Sequence, residues 1–253
     1  MSKLWLMIKK WLIEMGSPPL FYKWSTKILP WLFISAILIL GIGLFWGLLF
    51  APTDYKQGDV YRILYIHVPS AILGQSIFMF MAFCGFINVI WRAKISGMML
   101  KSAAPIGVSF TLLALVTGSI WGKPTWGTWW VWDARLTSTL ILFFIYAALI
   151  GLHSTIDDKT KADRAVSILS IVGLAIIPVI KKSVDWWQTL HQPSTFTITS
   201  SPSMSPDMYQ PLLLCLVGFY LFFALLLTLN LRNEILERER TKNWVKQLLG
   251  GVG

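Results

Sequence analysis

The chain has 253 residues, of which 55% are hydrophobic and 13% charged, and its formal net charge is +10. A water-soluble domain carries about 25% charged residues. A mean hydropathy of +0.63 therefore excludes a globule with a solvated surface and points to several membrane crossings. The positive balance does not indicate nucleic acid, because the basic residues gather between apolar runs, where anionic headgroups attract them.

The first 27 residues predict a cytoplasmic interfacial segment. Leu4, Trp5, Ile8, Trp11, Leu12 and Met15 recur at helical spacing among Lys3, Lys9, Lys10 and Glu14. That is the pattern of an amphipathic helix lying on a membrane, and no small-residue cleavage site of a secretory signal closes it. Charge-free runs follow at 28–53, 63–91, 102–122, 136–156, 165–180 and 208–231. Five of them reach the roughly 20 residues that a span requires. The run at 165–180 has 16 residues and contains Pro178. It is either a re-entrant segment or a span lengthened by the snorkelling stems of Lys181 and Lys182.

The basic residues decide between these two. With six spans and both termini inside, the inner segments hold 16 of the 22 Lys and Arg. The outer loops hold six, namely Lys56, Arg62, Lys123, Arg135, Lys181 and Lys182. Cytoplasmic loops are the Lys/Arg-rich ones. The expected fold is thus an all-α integral membrane protein with six transmembrane helices over 28–231, N-in and C-in, and a basic cytoplasmic tail at 232–253. The Ser/Thr/Pro-rich stretch 193–211 is expected to be a flexible outer loop without an assigned role.

Cys84 and Cys215 both fall inside apolar runs, and neither belongs to a C-x-x-C pair. Dithiol chemistry, covalent cofactor attachment and Cys-based zinc binding are therefore not expected. The chain also lacks G-x-x-x-x-G-K-[ST] and is expected to be no enzyme and no ATPase.

The outer loops carry the remaining information. The segment 121–138 reads W-G-K-P-T-W-G-T-W-W-V-W-D-A-R-L-T-S and contains Trp121, Trp126, Trp129, Trp130 and Trp132. Interfacial tryptophans commonly form scattered belts, but five rings in one short segment suit a binding platform. If the segment is helical from Trp126, then Trp126, Trp129, Trp130, Asp133 and Thr137 share one face. That platform, bordered by Asp133 and Arg135, would take a large planar apolar ligand with an anionic edge. Only three histidines exist. His153 lies at the inner end of the fourth span and is expected to be an ordinary hydrogen-bonded interfacial residue. His67, in Y-I-H-V-P-S, and His191, in D-W-W-Q-T-L-H-Q-P, both fall outside and flank the tryptophan segment. Two neutral imidazoles at such a platform suit the axial positions of haem iron. Arg62, Lys123, Arg135, Lys181 and Lys182 are near enough in sequence to pair with propionates.

These motifs together resemble a known family. The segment W-G-T-W-W-V-W-D-A-R-L-T-S is similar to the tryptophan-rich "WWD" signature of haem-handling proteins of cytochrome c biogenesis. With Y-R-I-L-Y-I-H-V-P-S-A, V-D-W-W-Q-T-L-H-Q-P and the six-span layout, the chain resembles the cytochrome c maturation protein C (CcmC) family. The resemblance implies transient binding of haem b at the periplasmic face of the bacterial inner membrane, with His67 and His191 as axial ligands to the haem iron. It further implies delivery to a periplasmic haem chaperone (CcmE-like), beside an ABC ATPase (CcmA-like), a second membrane subunit (CcmB-like) and a small single-span protein (CcmD-like). Asp133 would then orient a tryptophan or the chaperone, and Arg135 would hold a propionate. Two alternatives remain open on the sequence: a haem-transporting permease proper, and a b-type membrane electron-transfer cytochrome.

Overall fold

The computed structural model describes residues 16–191 and 204–250. The amphipathic helix expected within 1–15 and the first part of the 193–211 loop lie outside the described residues. Backbone polar groups in lipid must pair within their own segment. Accordingly the described residues form helices, with no strand among them. In chain order these are α1 (Pro18–Phe45), α2 (Leu64–Trp91), α3 (Lys94–Trp126), α4 (Ala134–Thr155), α5 (Lys159–Gly173), α6 (Ile176–Trp186), α7 (Pro206–Arg238) and a short α8 (Asn243–Gly250). A π turn, Trp46–Phe50, extends α1, and a 3-10 turn, Asp59–Ile63, leads into α2.

Six helical units are long and apolar enough to cross a membrane. The fifth is α5 and α6 taken together, Lys159–Trp186, which bears out six spans over a five-span chain. It is not one rod. Pro178 has no N–H to offer the carbonyl of Leu174, and Leu174, Ala175 and Ile177 make tighter bonds to residues three back. The break between α5 and α6 results. The described end of the 193–211 stretch is already helical, because Pro206 opens α7 at a position where a missing N–H costs nothing.

The centre of the bundle is α2. Leu73, Ile77, Phe78 and Met81 are buried there against Leu100 of α3, Leu142 and Tyr146 of α4 and Phe219 of α7. The Tyr146 hydroxyl donates to the Gly74 carbonyl at 2.7 Å, so this deeply buried phenol is satisfied. The α1 segment is the least buried span and packs mainly on α7. Helix α4, 22 residues long, spans about 33 Å and separates two polar ends. At one end lie His67, His191 and the Trp-rich segment. At the other, His153 is buried and its Nε2 lies 3.1 Å from Asp163 Oδ1. There Arg238 donates to both Asp163 and Glu234, and Glu234 also pairs with Lys101.

Candidate functional site

A cavity of about 1060 Å³ opens at the first of these ends. Its walls come from the 52–57 loop, α2, α3, the start of α4, the end of α6, His191 and the start of α7. Ligand pockets are typically about 300–1,000 Å³, so this one suits a large ligand. Val68, Ile72, Leu115, Leu136 and Leu212 make its lining largely apolar.

His67 enters the cavity from α2, one turn into the helix. Its Nδ1 lies 3.1 Å from Thr117 Oγ1 on α3. The Thr117 hydroxyl donates its single proton to the Leu113 carbonyl at 2.6 Å, so toward His67 it acts as an acceptor. Nδ1 therefore carries the ring proton, and Nε2 keeps its lone pair. The ring fits because residue 118 is glycine: a Cβ there would lie 2.9 Å from His67 Cε1. Trp121, one turn further along α3, meets the ring edge-on at 5.6 Å and donates its own N–H to Gln57.

His191 reaches the same cavity from the segment after α6. Asp133 Oδ2 stands 3.5 Å from its Nδ1, a charge-pairing distance longer than a good hydrogen bond, and accepts the Thr189 hydroxyl. The other carboxylate oxygen caps α4 by accepting from Leu136 N–H at 2.7 Å. Asp133 is thus buried between a helix start and an imidazole. Burial holds the His191 imidazole below its ordinary value, Arg135 adds to that, and Asp133 opposes it. Burial and Arg135 thus favour the uncharged ring, which can offer a lone pair. Trp126 stacks obliquely on it at 4.9 Å.

The Trp-rich segment departs from the expected single helical face. Helix α3 ends at Trp126, because Gly127 adopts φ +78°, a left-handed conformation that glycine tolerates. Residues 127–133 are irregular, and α4 starts only at Ala134. The five rings consequently divide. Trp121 and Trp126 line the cavity beside the two histidines. Trp129 and Trp132 are exposed, and Trp130 packs against Trp132 at 5.5 Å.

The expected cations divide as well. Arg135 and Lys181 line the cavity, joined by Lys56, and Arg135 Nε is steered by Ser183 Oγ at 3.2 Å. Arg62 is occupied by Asp59 and the carbonyls of Gly47 and Leu48. Lys123 bonds the Gly127 carbonyl, and Lys182 pairs with Asp185. Sequence reasoning missed Thr117, Gly118 and Thr189. A hydroxyl beside a glycine, one turn before Trp121 in an otherwise apolar run, was the available signal.

Two neutral imidazoles from distant segments, two indoles, apolar walls and a guanidinium at the edge form a donor set that fits an iron porphyrin. The chain matches the family model described as CcmC, heme exporter protein C, over residues 11–246. It is 45% identical over 240 residues to heme exporter protein C of Escherichia coli strain K12, covering 95% of this chain and 97% of that one. The Bradyrhizobium diazoefficiens protein of that name is 44% identical over 227 residues, covering 90% and 86%. That of Paracoccus denitrificans is 38% identical over 226 residues, covering 89% and 93%. With a cavity of this chemistry, six spans and similarity along nearly its whole length, the chain belongs to the heme exporter protein C family.

Proposed function

We propose that this protein binds haem b transiently in the cavity, with His67 and His191 as the two axial ligands, and passes it to a periplasmic haem chaperone for cytochrome c maturation. The observation that carries the reading is the pair of imidazoles facing one cavity, His67 with Nδ1 held at Thr117 and His191 with Nδ1 at charge-pairing distance from Asp133. A bound iron porphyrin would bring an iron open to lone-pair donors and two carboxylate arms. Toward it, His67 and His191 offer lone pairs, Trp121 and Trp126 offer apolar ring area, and Arg135 with Lys181 offers cationic partners for the propionates. Exposed Trp129 and Trp132, in the segment between Trp126 and Asp133, offer a surface that a chaperone could meet.

The same reading places the cavity on the periplasmic side of a bacterial inner membrane, with both termini in the cytoplasm, because that orientation puts 16 of 22 basic residues inside. The partners in this reading are an ATP-binding-cassette ATPase, a second membrane subunit and a small single-span protein. Since the chain carries no phosphate-cradling loop of its own, ATP hydrolysis is assigned to the ATPase and not to this subunit.

Spectroscopy of the purified protein with added haem tests the ligands. The expected result is a six-coordinate low-spin spectrum. His67→Ala or His191→Ala should each open one iron position while haem is retained, and added imidazole should restore the low-spin bands. His153→Ala, at the far end, should leave the spectrum unchanged. A low-spin spectrum that persists in the His67→Ala, His191→Ala double variant overturns the assignment.

A further inference from the structure

At the end of the bundle opposite the histidines lies a second cleft, of about 530 Å³, which the haem reading does not use. It is lined by Arg92, Lys94, Lys159, Lys161, Arg164 and Lys242. Among the described residues none of these six has a carboxylate within ion-pair distance. The two acidic residues of the cleft are already engaged. Asp163 is held by Arg238 and His153, and Glu239 accepts from the Trp244 indole. Arg238, which also lines the cleft, is paired, so the open charge of the cleft rests on those six cations.

Arg92 is placed there against its backbone preference. It ends α2 at φ +52°, and no other described non-glycine residue has positive φ. Asn88 fixes this bend: its amide donates to the Ala93 carbonyl and its oxygen accepts from Ser167 on α5. The C-cap position that commonly takes glycine here carries a cation into the cleft.

What lies beside the cleft identifies the ligand. Arg164, Ile168 and Val172 follow one another at i, i+4 and i+8 on α5, and the latter two are exposed. Phe86 and Ile90, exposed on α2, are likewise four apart. These helices run antiparallel and touch closely at Gly85 and Ser167, which turns both apolar rows to one side of the seam. The cationic cleft is therefore bordered, on the same two helices, by exposed apolar rows.

We infer that this cleft is a binding site for an anionic phospholipid, with its phosphate among Arg92, Lys159, Lys161 and Arg164 and an acyl chain along Ile168 and Val172. Basic pockets between transmembrane helices take phosphate headgroups in this manner. A soluble phosphate would use the same cations but would make no contact with the apolar rows.

Native mass spectrometry of the full chain, released from micelles holding equal phosphatidylglycerol, cardiolipin and phosphatidylcholine, tests the site. The expected result is retained phosphatidylglycerol or cardiolipin and no retained phosphatidylcholine. Arg92→Gln with Arg164→Gln should reduce that retention on the order of 20-fold. Removing the same charge at the same end with Lys23→Gln and Lys27→Gln should not. Ile168→Ser with Val172→Ser should also weaken it. Should the arginine pair fail to fold, Lys159→Gln with Lys161→Gln, on an exposed first turn, makes the same test. Equal retention by cleft variants and control overturns the site. Competition by glycerol 1-phosphate at lipid concentrations gives the cleft to a soluble anion and overturns the lipid. Loss of lipid on adding the ATP-binding partner gives it to an acidic protein surface and likewise overturns the lipid.

Discussion

His67 and His191 are backed by different groups, and the difference has measurable consequences. A hydroxyl that relays to a helix carbonyl holds His67, whereas a buried carboxylate stands behind His191. Partners behind a ligating imidazole fix its tautomer and raise its basicity, and their removal typically costs 10–100-fold in affinity. Thr117→Val should therefore weaken haem binding by roughly that factor, and Thr117→Ser should restore it, both read by absorbance titration. Gly118→Ala should push the His67 ring aside and weaken haem binding, since the new methyl would lie 2.9 Å from Cε1. Asp133 has two roles that substitution separates. Asp133→Asn keeps a side-chain cap for α4 but removes the charge behind His191, so haem affinity should fall with little change in stability. Asp133→Ala should additionally lose about 1 kcal/mol of stability, seen as a lower melting temperature. The two histidines that the fold brings to one cavity were legible in the sequence, because only three histidines exist and two lay beside apolar-run ends. Their supports were not: a threonine inside an apolar helix usually bonds its own preceding turn, and Thr117 does so as well as facing His67.

Elements were legible to the extent that charge marks membrane depth. All six spans were visible as apolar runs, yet the fifth looked 12 residues shorter than the 28-residue unit Lys159–Trp186. Lys159, Lys161, Arg164, Lys181 and Lys182 belong to its helices, because long basic side chains snorkel and need not end a helix where the apolar run ends. The Trp-rich segment failed in the opposite direction. Periodicity continued past Trp126, but Gly127 ends α3 and hands the chain to an irregular stretch. That turn sets the angle between Trp126 and α4. Gly127→Ala forces a Cβ into the left-handed region, costing about 1–2 kcal/mol. The expected outcome is a lower melting temperature together with weaker haem retention, because Trp126 carries the contact to His191.

For the whole molecule, the two polar ends differ in how they are closed. The cavity at the His67 end is open, while the opposite end is tied by buried charge linking α3, α4, α5 and α7. Removing one member of such a network strands its partners. Arg238→Gln leaves Asp163 and Glu234 without their shared guanidinium and should cost about 3–5 kcal/mol, measured as thermal unfolding in detergent. Arg238→Lys should not restore it, since an ammonium cannot reach both carboxylates with the same fork. The cavity has a further property in its walls, which extend from the 52–57 loop to Met208 and Leu212 at the start of α7. A ribosome delivers these segments in order, N-terminal first, so the pocket stays open on one side until the sixth span emerges and docks. A complete cavity is therefore acquired only at the close of synthesis, and an insertion intermediate that stalls after α6 is born without it.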